Sequence, residues 1–221
     1  MLNLAFDTTA AGCSVALLED DKVLDSFSQS MDFGQSELLI PQIKELMERN
    51  GLSFDDLAQL TVCTGPGSFT GVRASISAAR SFGIAKPNMQ ICGVNAFDSY
   101  LVSLAFSPDE IGFYNVVLIE TKRDDFYYQI FDENLKPLTK PSAGMREDII
   151  SQLRGKKVTM LGDGVERFLM TPTGLSLHVI KSFGCLPIEN VGLCGYKQYL
   201  NKRIDFPKPV YLRAPDVCVK K

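Results

Sequence analysis

The apolar positions change period several times along the chain, and each change marks an element. An apolar run at 2–6 stops at Asp7, and runs at 13–18 and 23–27 follow, separated by the acidic turn Glu19-Asp20-Asp21. Short β-rich runs bounded by turn residues read as strands, here a three-strand meander. Between 36 and 50 the period becomes helical, with Leu39, Ile43, Leu46 and Met47 at i, i+4, i+7 and i+8. Ser36 is the expected N-cap and Gly51 the stop, while Pro41 argues for a start nearer Leu39. A strand at 60–63, a helix at 70–85, a strand at 90–94 and a helix at 96–105 give the order βββαβαβα.

The order then begins again. Strands at 115–120, 126–132 and 135–139 make a second meander. A helix at 145–153, a strand at 157–161, a short helix ending at Met170, a strand at 177–180 and a helix at 187–201 follow. The element order βββαβα therefore occurs twice, without residue identity between the halves. The boundary near Ser107-Pro108 predicts an N-terminal lobe at 1–106 and a C-terminal lobe at 107–221. The tail at 206–213 is broken by Pro207 and Pro209, so it cannot be a long helix, and it is expected to pack back over the N-terminal lobe.

The most specific stretch is Thr61-Val62-Cys63-Thr64-Gly65-Pro66-Gly67-Ser68-Phe69-Thr70-Gly71-Val72-Arg73-Ala74-Ser75. It reads as a strand, a glycine-rich turn and a helix of small residues, with Ser68 or Thr70 as cap. Such a turn can present free N–H groups and a helix dipole to an anion. It lacks the lysine of a Walker A loop, since Val72 follows Gly71, and Thr70 stands where the third glycine of G-x-G-x-x-G belongs. Asp7-Thr8-Thr9, at the end of the first strand, could hold Mg²⁺ through water and meet phosphate oxygens. It could equally be a polar turn. Arg73 sits near a helix start, where a cation is unfavourable, so it answers a carboxylate, faces an anion or is solvated.

Composition narrows the chemistry. The 221 residues are 45% apolar and 22% charged with net charge -3, ordinary for a globular protein and too acidic for a global pull on nucleic acid. Six cysteines, at 13, 63, 92, 185, 194 and 218, show no C-x-x-C pair and read as reduced thiols. The single histidine, His178, leaves no zinc motif and no credible triad, and is expected to be structural. Asp55-Asp56 and Asp124-Asp125 are expected in solvated turns. Lys122-Arg123 with Phe126, Tyr127 and Tyr128 reads as a hairpin rather than an RNA platform. With no basic leader and no apolar stretch of about 20 residues, a signal peptide and a membrane span are not expected.

At Asp7-Thr8-Thr9, at the Gly65 to Ser75 segment and at the tail Pro209-Val210-Tyr211-Leu212-Arg213, the chain resembles the bacterial TsaB/YeaZ family of tRNA threonylcarbamoyladenosine biosynthesis proteins, over essentially its full length. The resemblance implies an α/β fold with two lobes, related to actin, Hsp70 and sugar kinases. It implies a non-catalytic scaffold or activator in the complex that forms N6-threonylcarbamoyladenosine at position 37 of tRNAs reading ANN codons. The implied partners are the transferase paralogue TsaD and the ATPase TsaE, with tRNA met through the complex, a homodimer in the partner's absence, no membrane, and a cytoplasmic location. The first two lobe-one helices are the implied contact, which places Leu39, Ile43, Leu46, Met47, Val72, Ala74, Ser75, Ala78 and Ala79 at an interface. Gln35 stands where family members often carry a histidine, which argues further against a metal.

Two readings follow. In the first the chain is a scaffold with no catalytic residue and no tightly bound cofactor, and ATP or ADP with Mg²⁺ binds only weakly or in the complex. Asp7, Thr8, Thr9, Gly65, Gly67 and Ser68 are then vestigial nucleotide contacts. In the second it is an ATP-dependent phosphotransferase of the same fold that uses Asp7 and the Gly65 loop. A peptidase is disfavoured, because no nucleophile has a base.

Overall fold

A computed structural model describes residues 1–213; Cys218 lies outside them. Two five-stranded sheets organise the chain. The first contains β1 (Leu2–Asp7), β2 (Gly12–Glu19), β3 (Lys22–Ser30), β4 (Gln59–Cys63) and β5 (Gln90–Val94), in the order β3-β2-β1-β4-β5. The second contains β6 (Tyr114–Glu120), β7 (Asp125–Phe131), β8 (Ser142–Met145), β9 (Lys157–Gly162) and β10 (Ser176–Ser182), in the order β10-β9-β6-β7-β8. In each, the opening meander pairs antiparallel and the last two strands add in parallel. The helices repeat too: α1 (Gln35–Arg49), α2 (Phe69–Ala85) and α3 (Ala96–Ala105) match α4 (Arg146–Leu153), α5 (Val165–Leu169) and α6 (Ile188–Leu200) in order.

Three apolar cores hold five layers together, the central one enclosing the middle helix layer. Leu4, Phe6, Val15 and Leu17 on one face of the first sheet pack against Leu39, Ile43 and Leu46 of α1 and Ala79 of α2. Val116, Leu118 and Met160 of the second sheet pack against Ile149 and Leu153 of α4 and Val165 and Phe168 of α5. Between the sheets, Ala5, Ala16 and Val94 meet Phe97, Tyr100 and Leu104 of α3, Ile188 and Val191 of α6, and Val117, Ile119 and Leu161 of the second sheet. Although α6 follows the second sheet in sequence, it lies on β1, β2, β4 and β5 of the first. There it covers a buried polar row: Asn3 Nδ2 donates to the Gly192 carbonyl at 3.0 Å, and the Thr61 hydroxyl donates to Asn3 Oδ1 at 2.9 Å.

Three local expectations need correction. Helix α1 begins at Gln35 and not near Leu39, with Gly34 and not Ser36 as N-cap. Gly34 takes the left-handed φ of 89°, and the Gln35 amide donates back to the Met31 carbonyl, so the first turn is anchored upstream of Pro41. The third strand of the second meander is Ser142–Met145, not 135–139. Asp132 Oδ1 accepts the N–H groups of Asn134 and Lys136 and turns the start of that segment, and the rest meets β7 only at an isolated Phe131–Pro137 bridge, since Pro137 cannot donate to a ladder. Asp125 is no solvated turn residue: it opens β7, is 7% exposed, and pairs with Arg213. Asp56, by contrast, caps its own turn through Ser53. His178 is exposed, with Nε2 3.2 Å from the Asp109 carbonyl.

Candidate functional site

The strand ends of both sheets meet at a cleft of about 710 Å³ between the lobes. From the first lobe Thr9, Gly67, Ser68 and Phe69 line it; from the second come Glu120, Lys122, Arg123 and Asp163, and the tail adds Tyr211 and Arg213. The Lys122 ammonium reaches Asp32 across the cleft at 2.5 Å, and Arg213 pairs with Asp125.

Asp7-Thr8-Thr9 turns inward. Asp7 is 2% exposed, and its Oδ1 accepts the Thr9 N–H at 2.8 Å. Burial pushes its carboxyl pKa up, against the opposing pull of that N–H. The Thr8 hydroxyl donates to the Gly71 carbonyl at 2.8 Å, and the Thr8 N–H donates to Ser75 Oγ at 3.0 Å. The Thr9 hydroxyl points at Cys63 Sγ, 3.5 Å away. Of the six residues expected as nucleotide contacts, Thr9, Gly67 and Ser68 reach the cleft; Asp7, Thr8 and Gly65 do not line it.

The glycine-rich loop is closed by the same turn. Ser68 N–H donates to the Thr9 carbonyl at 2.7 Å, and Ser68 Oγ caps α2 by accepting the Gly71 N–H at 3.3 Å. A Cβ on Gly67 would strike the Thr9 carbonyl, and one on Gly71 the Thr8 carbonyl. These glycines admit a neighbouring backbone, and the Ser68 and Gly71 N–H groups are engaged within the chain. Among the described residues, no group of three or more His, Cys, Asp or Glu is placed to hold a metal.

On the opposite wall Asp163 Oδ1 accepts the Glu120 N–H at 3.0 Å. Burial lifts the Asp163 carboxyl to about 7, and the nearby Glu120 charge adds to the shift. Glu120 is held by Arg167 through two bonds of 2.6 and 2.8 Å. The Tyr100 hydroxyl is buried at this cleft beside the Asp163 carboxyl. Glu120, Asp163 and Tyr100 do not figure among the sequence-derived candidates. The repeated element order carries the signal for one of them, because Glu120 ends β6 as Asp7 ends β1.

The expected interface residues divide. Leu39, Ile43, Leu46, Met47, Val72, Ser75 and Ala79 are at most 3% exposed, turned into the chain's own core or onto the Thr8 turn. They cannot form an outer surface. Ala74 and Ala78 remain half-buried on α2, Ala78 packing against the core beneath it. Arg73 stacks 3.8 Å over the Phe69 ring and donates to the Tyr211 hydroxyl at 3.1 Å. Cys13, Cys63 and Cys92 are buried free thiols, and burial pushes Cys13 up to about 11 and Cys92 to about 12. Among the described residues no helix is long and apolar enough to cross a membrane.

The model of the family described as TsaD, tRNA N6-adenosine threonylcarbamoyltransferase, matches residues 34–182. The chain belongs to this family, as a TsaB/YeaZ-type member. It is 28% identical over 177 residues to the tRNA threonylcarbamoyladenosine biosynthesis protein TsaB of Haemophilus influenzae, covering 73% of this chain and 71% of that protein. It is 35% identical over 81 residues to TsaB of Escherichia coli, covering 37% of this chain and 35% of that protein. Alignments with the first curated relatives thus span little more than a third of their length. YeaZ from Pseudomonas aeruginosa shares the fold, with a TM-score of 0.77 at 19% identity over 96% of this chain and 99% of that one. An activator of 2-hydroxyisocaproyl-CoA dehydratase from Clostridium difficile, solved with bound ADPNP, shares it more distantly, with a TM-score of 0.51 at 10% identity over 93% and 99%. The two sheets with duplicated topology are those of the actin-like two-lobed fold.

Proposed function

We propose that the chain is a scaffold and activator, without a reaction of its own, in the cytoplasmic complex that forms N6-threonylcarbamoyladenosine at position 37 of ANN-reading tRNAs. Its proposed partners are the transferase relative TsaD, the ATPase TsaE and, through them, tRNA; a second copy takes the same face when they are absent. The observation that carries the reading is the inward closure of the Thr8 turn on Ser75 and Gly71 in a member of a transferase family. Groups that would handle phosphate serve packing instead. The face left for a partner is narrower than helix periodicity suggests. It consists of Ile40, Pro41 and Lys44 on α1 with Ala74 and Ala78 on α2, where small residues permit close helix approach. Reconstitution tests it: transferase relative and ATPase are assayed for tRNA modification with and without this chain. Activity that depends on the chain is expected, and full activity in its absence refutes the proposal.

The cleft favours a second reading, weak nucleotide binding, because its volume suits a ligand of that size. Titration calorimetry with Mg-ATP decides it. Micromolar binding together with turnover lost in Asp7→Ala would replace the scaffold by a phosphotransferase.

A further inference from the structure

One edge of α2 and the tail that crosses it assemble a row of cations and aromatic rings that are remote in sequence. Arg73 and Arg80 lie seven residues apart on that edge, and the 17 residues of α2 include no acidic side chain. At one end Arg73 stacks on Phe69, and the Tyr211 ring packs on Phe69 at 5.2 Å. At the other, Arg80 Nη2 donates to the Pro207 carbonyl at 2.8 Å and its guanidinium lies 5.3 Å from the Phe206 ring. Lys208, exposed, follows Pro207 in the tail. Phe206 is 57% and Tyr211 41% exposed. The tail is pinned there by backbone bonds, Gly93 N–H to the Asp205 carbonyl at 2.6 Å and Val210 N–H to the Thr64 carbonyl at 2.9 Å.

We infer that this edge binds RNA directly, with Arg73, Arg80 and Lys208 on phosphates and the rings of Phe206 and Tyr211 stacked on unpaired bases. Cations interleaved with open aromatic faces are the arrangement that takes single-stranded segments with little sequence preference. The acidic net charge of -3 makes a local basic row informative, since no general field supplies it. A protein helix is better suited to the other side of α2, where Ala74 and Ala78 lie. The choice of RNA as the nucleic acid rests on the tRNA-pathway reading above.

The test is fluorescence anisotropy on the full chain with a labelled RNA stem–loop and a blunt duplex of the same stem. The stem–loop is expected to bind more tightly than the duplex, and binding should weaken steeply with salt. Arg73→Gln with Arg80→Gln should weaken both RNAs by about tenfold and flatten the salt dependence. Phe206→Ala with Tyr211→Ala should cost the stem–loop about fivefold or more and leave the duplex unchanged. Melting by circular dichroism confirms that each variant is folded, and the more conservative Phe206→Leu serves if Ala is not tolerated. No RNA binding at low salt, or wild-type affinity in both pairs of variants, overturns the inference. So does an arginine pair that breaks the complex with the transferase relative while RNA affinity stands, which would mark a protein interface. Reconstituted modification separates the two proposals. A chain that is required for activity, with variants that bind RNA normally, ends only this inference; a dispensable chain ends the scaffold reading and leaves the anisotropy result intact.

Discussion

The hydroxyls of Thr8 and Ser75 lie 2.7 Å apart, and the same Ser75 oxygen accepts the Thr8 backbone N–H at 3.0 Å. This contact ties the end of β1 to the second turn of α2. Residues 71 and 75 are small because a turn of the same chain lies against them. Ser75→Ala leaves the buried Thr8 N–H without an acceptor, and should cost about 1–3 kcal/mol in urea unfolding. Gly71→Ala should cost more, because its Cβ meets backbone rather than a movable side chain. Wild-type midpoints in both would show that the turn is not held this way.

Asp163 makes stability depend on pH. Its folded pKa is raised to about 7, against about 3.9 in an unfolded chain. Between those values the native state holds more protons, so stability falls as pH rises through that window and levels above it. Asp163→Asn keeps an acceptor for the Glu120 N–H and removes the titration. Relative to wild type it should therefore gain on the order of 1–4 kcal/mol between about pH 4 and pH 8. Denaturant midpoints across that range measure this, and a pH-independent difference contradicts it.

The seat of α6 depends on two glycines. A Cβ on Gly195 would strike the Thr61 side chain, and one on Gly192 the Leu18 side chain. Overpacking at Gly195→Ala should destabilise by about 1–3 kcal/mol. Gly155→Ala lies in open space at a φ of 75° and serves as the comparison, losing only what that backbone angle costs. Equal losses at both sites would mean that the contact with Thr61 contributes nothing.

Ile40→Glu with Ala74→Arg probes the proposed partner face. Ile40 is 49% exposed and Ala74 half-buried on the outside, so the monomer's melting temperature should move little. Association with the transferase relative, followed by size-exclusion chromatography with light scattering, should fall by tenfold or more. Retained association by a folded variant would place the partner elsewhere.

Periodicity and turn chemistry in the sequence determined where most strands and helices lie, and that their order repeats, because each element's burial has its own spacing along the chain. The inward face of α1 was legible for the same reason: Leu39, Ile43, Leu46 and Met47 are the core stripe. The pattern could not say whether that stripe meets the chain's own sheet or a partner, since both bury apolar area alike. Only the tertiary structure decided it, and decided likewise that Gly67 and Gly71 lie against the backbone of Thr8 and Thr9. It also brought Asp163 beside Glu120, and Phe206 and Tyr211 over α2. These pairings join residues 43 to 142 positions apart, and no local spacing encodes a contact that packing between layers creates.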